Sequence, residues 1–128
     1  MILDSSAIVG IVLREPGFET LVGKIARADT IAVGAPTLAE AGIVLAARLG
    51  RDARGLLQGL LREWEAATVA FGEEHWREAV TAYDRFGRGR HQARLNFGDC
   101  MAYAVAKLAD EPLLCTGGDF PKTDVKVA

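Results

Sequence analysis

The chain has 128 residues, half of them apolar, which is enough for one packed domain spanning residues 1–128 and too apolar for a disordered segment. Seventeen acidic against fifteen basic side chains give a net charge of −2, which excludes a uniformly basic nucleic-acid binder. It does not exclude a local basic patch, because net charge sums over faces that never meet.

Met1-Ile2-Leu3 reads as a first short strand, stopped by Asp4. Ser5 or Ser6 is expected to cap a helix carrying Ile8, Val9, Val12 and Leu13, which Glu15-Pro16-Gly17 breaks. Phe18, Leu21, Val22 and Ile25 recur at i, i+3, i+4 and i+7, marking a second helix. Thr30 to Val33 is a second strand ended by Gly34. Pro36 then suits a first helical turn, and Leu38, Ala41, Leu45 and Leu49 trace one helical face up to Gly50. Asp52 is expected to cap the next helix, with the stripe Leu56, Leu57, Leu60, Leu61 and Trp64.

Thr68 to Phe71 predicts a third strand, and Trp76, Ala79, Val80, Tyr83 and Phe86 follow helical spacing. Gly87 to Arg94 is polar and glycine-containing, hence a loop. Asp99 is expected to open a helix with Ala102, Val105, Ala106 and Leu108 on its apolar side. Leu113 to Cys115 is a fourth strand, and Val125 to Val127 a fifth, at the edge. Strands separated by helices predict an α/β fold, a three-layer α/β/α domain with a mainly parallel four- or five-stranded sheet. Working groups in such sheets lie beyond the carboxyl ends of the strands.

Four carboxylates fall where that edge is expected. Asp4 follows strand one, Glu40 lies early in the helix after strand two, Asp99 opens a later helix, and Asp119 follows strand four. Taken singly, each has an ordinary structural role as a cap, a dipole partner or a turn residue. Taken together they form an all-oxygen set that needs a cation to offset its repulsion, and Mg²⁺ or Mn²⁺ suits such ligands. A metal of this kind polarises phosphoryl oxygens and activates water.

The segments Met-Ile-Leu-Asp4-Ser-Ser-Ala, Pro36-Thr37-Leu-Ala-Glu40, Leu95-Asn-Phe-Gly98-Asp99 and Thr116-Gly-Gly-Asp119-Phe120 occur in this order over nearly the whole chain. In them the sequence resembles the PIN-domain ribonucleases, and within these the toxins of VapBC toxin–antitoxin pairs. The resemblance implies a Mg²⁺-dependent endoribonuclease, with Asp4, Glu40 and Asp99 at the acidic, metal-binding positions. It implies that Thr116, with Ser5, supports the site. It also implies a homodimer and a cognate antitoxin partner. Gly118 is a departure, since close relatives carry an acid or Asn there. Either Asp119 takes that role or the site runs on three carboxylates.

Arg85, Arg88, Arg90 and Arg94 form a run with no acid inside it; outside the run, eleven basic residues face seventeen acidic ones, or −6. Such a run is ordinarily a solvated loop. Beside an acidic site, Arg88, Arg90 and Arg94 are expected to hold RNA phosphates, and Gly87 and Gly89 would let the RNA backbone approach. Two rival readings are a PIN-like binding module without cleavage and a Mg²⁺-dependent phosphatase. Against the latter, position 6 is Ser where an Asp-x-Asp motif needs Asp. Cys100 and Cys115 have no metal-ligand spacing and read as reduced thiols. No apolar run approaches the ~18 residues of a membrane span, and Met1 to Leu3 is too short for a signal segment, so a cytoplasmic protein is expected.

Overall fold

The computed structural model describes residues 1–128. Four short parallel strands, β1 (Ile2–Leu3), β2 (Ala32–Gly34), β3 (Ala67–Val69) and β4 (Leu113–Leu114), form one sheet in the order β3-β2-β1-β4. Six helices connect them: α1 (Ser5–Val12), α2 (Phe18–Arg27), α3 (Ala35–Leu49), α4 (Arg54–Glu63), α5 (Glu73–Phe86) and α6 (Phe97–Ala109).

From β1 the chain steps outward to β2 and β3, then returns to add β4 on the other side of β1. Right-handed crossovers in opposite directions put helices on opposite faces of a sheet. Two separate cores follow. Leu3, Val33 and Leu114 pack with apolar side chains of α1 to α4, whereas Ile2 and Leu113 pack with α5 and α6. Alternate residues of β1 and β4 thus serve opposite cores. The strand order reverses beside β1, so a crevice is expected beyond its carboxyl end.

α5 lies close on α6 because the facing residues are small: Ala79 and Ala82 share a core cluster with Ala102 and Ala106. The periodic stripe read in α5 therefore splits. Phe86 is buried, but Trp76, Val80 and Tyr83 face outward and are 47%, 62% and 41% exposed.

Several helix starts differ from the expectation. Asp4, rather than Ser5 or Ser6, caps α1, its side chain accepting from the Ser6 N–H. Ala53 occupies the cap position of α4, and Asp52, one residue earlier, accepts from the Arg54 N–H at 3.0 Å. Asn96 caps α6 and accepts from the Asp99 N–H, while Asp99 accepts from the Asn96 N–H, a reciprocal box. Two apolar assignments also change. Leu108 is exposed, and of the α4 stripe only Leu57 is fully buried. The fifth strand reduces to one parallel bridge between Val127 and Leu113.

Candidate active site

The carboxyl edge of the sheet carries the acidic residues. Asp4 follows β1 directly and is 3% exposed. Its Oδ2 accepts from the Ser6 N–H at 3.1 Å and from the Ser6 hydroxyl at 2.6 Å. The Ser6 oxygen in turn accepts the Thr116 N–H at 3.0 Å, tying the end of β1 to the loop after β4. Thr116 is thus linked to Asp4 through its backbone N–H and the Ser6 hydroxyl, where the sequence predicts for Ser6 only a capping role. The other oxygen, Asp4 Oδ1, is buried without a hydrogen-bond partner.

Glu40 stands in the second turn of α3, where its Oε1 accepts a hydrogen bond from the Ser5 hydroxyl. Its carboxylate lies against Gly98, just before Asp99: a β-carbon at Gly98 would come within 2.7 Å of Glu40 Cδ. Without a side chain at position 98, the Glu40 carboxylate can rest against the first turn of α6. Asp99 occupies the first turn of α6, partly buried, with Oδ2 on the Asn96 N–H at 3.0 Å. Asp119 sits in an exposed loop just ahead of Phe120, whose buried ring anchors that loop.

The electrostatics bind these positions into one field. Burial pushes the Asp4 carboxyl up, the Ser6 hydrogen bonds oppose it, and the Glu40 charge adds to the rise. Asp99 is pushed up to about 6, first by burial and then by the charges of Asp4, Glu40 and Asp119, against the pull of its Asn96 hydrogen bond. A like-charge cluster of this kind attracts protons or a cation.

No three of the chain's His, Cys, Asp and Glu side chains form a ready-made metal cage. Glu40 is turned to Ser5, and Asp99 spends one oxygen on its own helix cap. The donor set still fits a hard divalent ion. Mg²⁺ keeps several waters and needs only one or two carboxylates, and the bare, buried Asp4 Oδ1 is an acceptor with nothing else to bind.

The arginine run forms an ordered loop rather than a floppy one. Its base is closed by the Arg88 N–H to the Leu95 carbonyl and the Leu95 N–H to the Phe86 carbonyl, both 3.0 Å. Arg90 pairs with Asp84 at 3.1 Å, and Arg85 with Asp124 at 3.4 Å. The exposed Arg88 and Arg94 make no ion pair. Both thiols are free, Cys100 buried and Cys115 half-buried, and burial pushes each up to about 11.

The family model for the PIN domain matches residues 1–126. Ribonuclease VapC36 of Mycobacterium tuberculosis is 46% identical over 127 residues, covering 98% of this chain and 91% of the relative. Among solved structures, the Mycobacterium tuberculosis toxin VapC20, described as cleaving the sarcin–ricin loop, superposes with a TM-score of 0.76 at 16% identity. That match covers 99% of this chain and 97% of the other. A toxin–antitoxin complex from Klebsiella pneumoniae matches with a TM-score of 0.72 at 13% identity, covering 99% and 95%.

Proposed function

The chain belongs to the PIN domain family, and from that premise we propose that it is the endoribonuclease toxin of a type II toxin–antitoxin pair, held in check by a VapB-like antitoxin. The observation that carries the chemistry is Asp4. A carboxylate 3% exposed, oriented through one oxygen and bare at the other, is a poor structural residue and a good ligand. Full-length identity to a named VapC ribonuclease supports the activity, and the likeness to a toxin–antitoxin complex is consistent with the partner.

We assign Asp4 and Asp99 as the residues that hold a divalent ion, Mg²⁺ or Mn²⁺, with Glu40 at their flank and Asp119 at the rim. Such an ion, when bound, polarises the phosphoryl oxygen and lowers the pKa of a bound water. The protein's own part is to hold these carboxylates aimed. Ser6 and the Thr116 N–H fix Asp4 Oδ2, Ser5 and Gly98 seat Glu40, and the Asn96 box locks the first turn of α6 under Asp99. RNA phosphates need separate cationic anchors beside so acidic an edge. Arg88 and Arg94 serve, with Arg90 restrained by Asp84.

A homodimer is part of the same reading. Trp76, Val80, Tyr83, Phe97 and Met101 line an apolar groove of about 650 Å³ along α5 and α6, with Phe97 78% exposed. Apolar surface of this kind marks an interface. No helix is long and apolar enough to cross a membrane, and the toxin–antitoxin reading sets the protein at work in the cytoplasm. The proposal is tested by incubating the protein with RNA, with Mg²⁺, Mn²⁺ or EDTA. Cleavage that EDTA abolishes and added metal restores supports it; cleavage unaffected by EDTA contradicts it.

A further inference from the structure

Two side-chain polar atoms of the chain are buried without a hydrogen-bond partner: Asp4 Oδ1 and Thr37 Oγ1. Asp4 Oδ1 belongs to the site already described. Thr37 is 2% exposed and lies in the first turn of α3, where a valine would fill the same space without leaving a hydroxyl unpaired.

The two orphans face the same side of the sheet. Ile2 packs under α5 and α6 and Leu3 into the opposite core, so Asp4, next in the alternation, returns to the α6 side. In β2, Ala32 packs toward α6 and Val33 away, so Gly34 also faces α6; a β-carbon there would meet Val105 of α6 at 2.8 Å. Ile2 pairs with Ala32, and carrying that register two residues on sets Asp4 beside Gly34. Thr37 Oγ1 leans back over Gly34, 3.8 Å from where its β-carbon would be. The register and the alternation thus bring a carboxylate oxygen and a hydroxyl, both unpaired, to the same face at the ends of β1 and β2. A buried water is held by two to four such partners.

We propose that Thr37 is a positioning residue whose hydroxyl fixes a water against Asp4 Oδ1, a water of the hydration shell of the divalent ion bound at this edge. This rests on the metal-site reading above. A hydrated hard ion presents waters as donors, and a hydroxyl that accepts one of them fixes the ion's place and orientation. The unpaired Oγ1 is then satisfied only in the metal-loaded protein.

The test is a Mn²⁺ titration without RNA, read by the free-Mn²⁺ electron paramagnetic resonance signal, on the full chain. Thr37→Ser and Thr37→Ala differ from each other by the hydroxyl alone, and both spare the fold the bulk of a new group. Thr37→Ser is expected to bind Mn²⁺ within about threefold of the unaltered protein, and Thr37→Ala at least about tenfold more weakly. In EDTA, where the hydroxyl has no partner, Thr37→Ala is expected to melt no lower than Thr37→Ser. Equal Mn²⁺ affinity of the two variants, with Asp4→Asn still abolishing binding, overturns the role of Thr37 and leaves the metal site standing. Failure of the unaltered protein to bind Mn²⁺ overturns the metal site and this inference together.

Discussion

The Glu40 carboxylate occupies the place where a side chain at position 98 would be. A β-carbon on Gly98 would lie 2.7 Å from Glu40 Cδ and closer still to Oε2. The missing side chain at position 98 therefore leaves the Glu40 carboxylate its seat beside the first turn of α6, which carries Asp99.

Gly98→Ala is expected to push the Glu40 carboxylate off its seat and away from the Ser5 hydroxyl, with little change in stability because a flexible side chain can swing aside. Cleavage should fall by at least tenfold while circular dichroism stays that of the folded protein, since a misplacement of about 1 Å can cost some 100-fold in rate. Retention of full activity would show that the contact does not set the site.

Asp124 stands in a network with Tyr103, Lys107 and Arg85 that spans distant parts of the chain. The buried Tyr103 donates its hydroxyl to Asp124 Oδ1 at 2.6 Å, and Lys107 and Arg85 approach Oδ2 at 2.9 and 3.4 Å. The Tyr103 hydrogen bond, aided by the two cations, holds Asp124 down to about 2, below an ordinary aspartate. A carboxylate depressed in the folded state binds fewer protons there than when unfolded. Its stabilisation is present above the unfolded pKa and is lost as pH falls through about 2. Asp124→Asn should flatten the fall in urea stability over roughly pH 4 to 2 relative to the unaltered chain. Identical slopes would deny the network that role.

The arginine loop gives a graded expectation. Arg88 and Arg94 are unpaired, whereas Arg90 is held by Asp84. Replacing Arg88 and Arg94 together with Ala should weaken RNA binding and lower the slope of log affinity against log salt by roughly 1.4 for single-stranded RNA. Arg90→Ala alone should change the slope less. An unaltered slope in the double variant would remove this loop from the RNA interface.

Val80 is 62% exposed in the middle of the apolar face of α5. Val80→Glu should leave the monomer folded, since substitutions at such surface sites usually change stability by under about 0.5 kcal/mol. Light scattering should show mass halved from dimer to monomer. A chain already monomeric without the substitution, at micromolar concentration, would contradict the dimer.

The edge positions of Asp4 and Glu40 were legible because each lies shortly after a strand, and parallel topology carries such points to one edge; Asp99 joined them only on the condition that its helix starts there, since α6 follows α5 and not a strand. Ser6 was not legible, because whether Ser5 or Ser6 turns back on Asp4 depends on the cap geometry of α1. Gly98 carried no signal of its own, since its role lies in what Glu40, far off in sequence, places against it. In α5, period 3.6 identified a helix but could not say which of two adjacent stripes faces inward. Ala79 and Ala82 won the inner face because their small size lets α6 approach. The pairing of Arg90 was hidden because Asp84 lies just before the run, near the end of α5, and the loop must fold back for the two to meet.

The most direct measurement is metal-dependent RNA cleavage by the unaltered chain beside Asp4→Asn and Asp99→Asn. Asp99 is pushed up to about 6 by burial and by its acidic neighbours, so at pH 7 its ionised form is held at a cost. Asp99→Asn should therefore melt, in EDTA, at or above the unaltered temperature, which separates lost chemistry from lost folding. Cleavage in Mg²⁺ or Mn²⁺ by the unaltered protein, lost by at least 100-fold in both folded variants, is the predicted result. Cleavage that survives both substitutions would contradict the assignment of this edge as the active site.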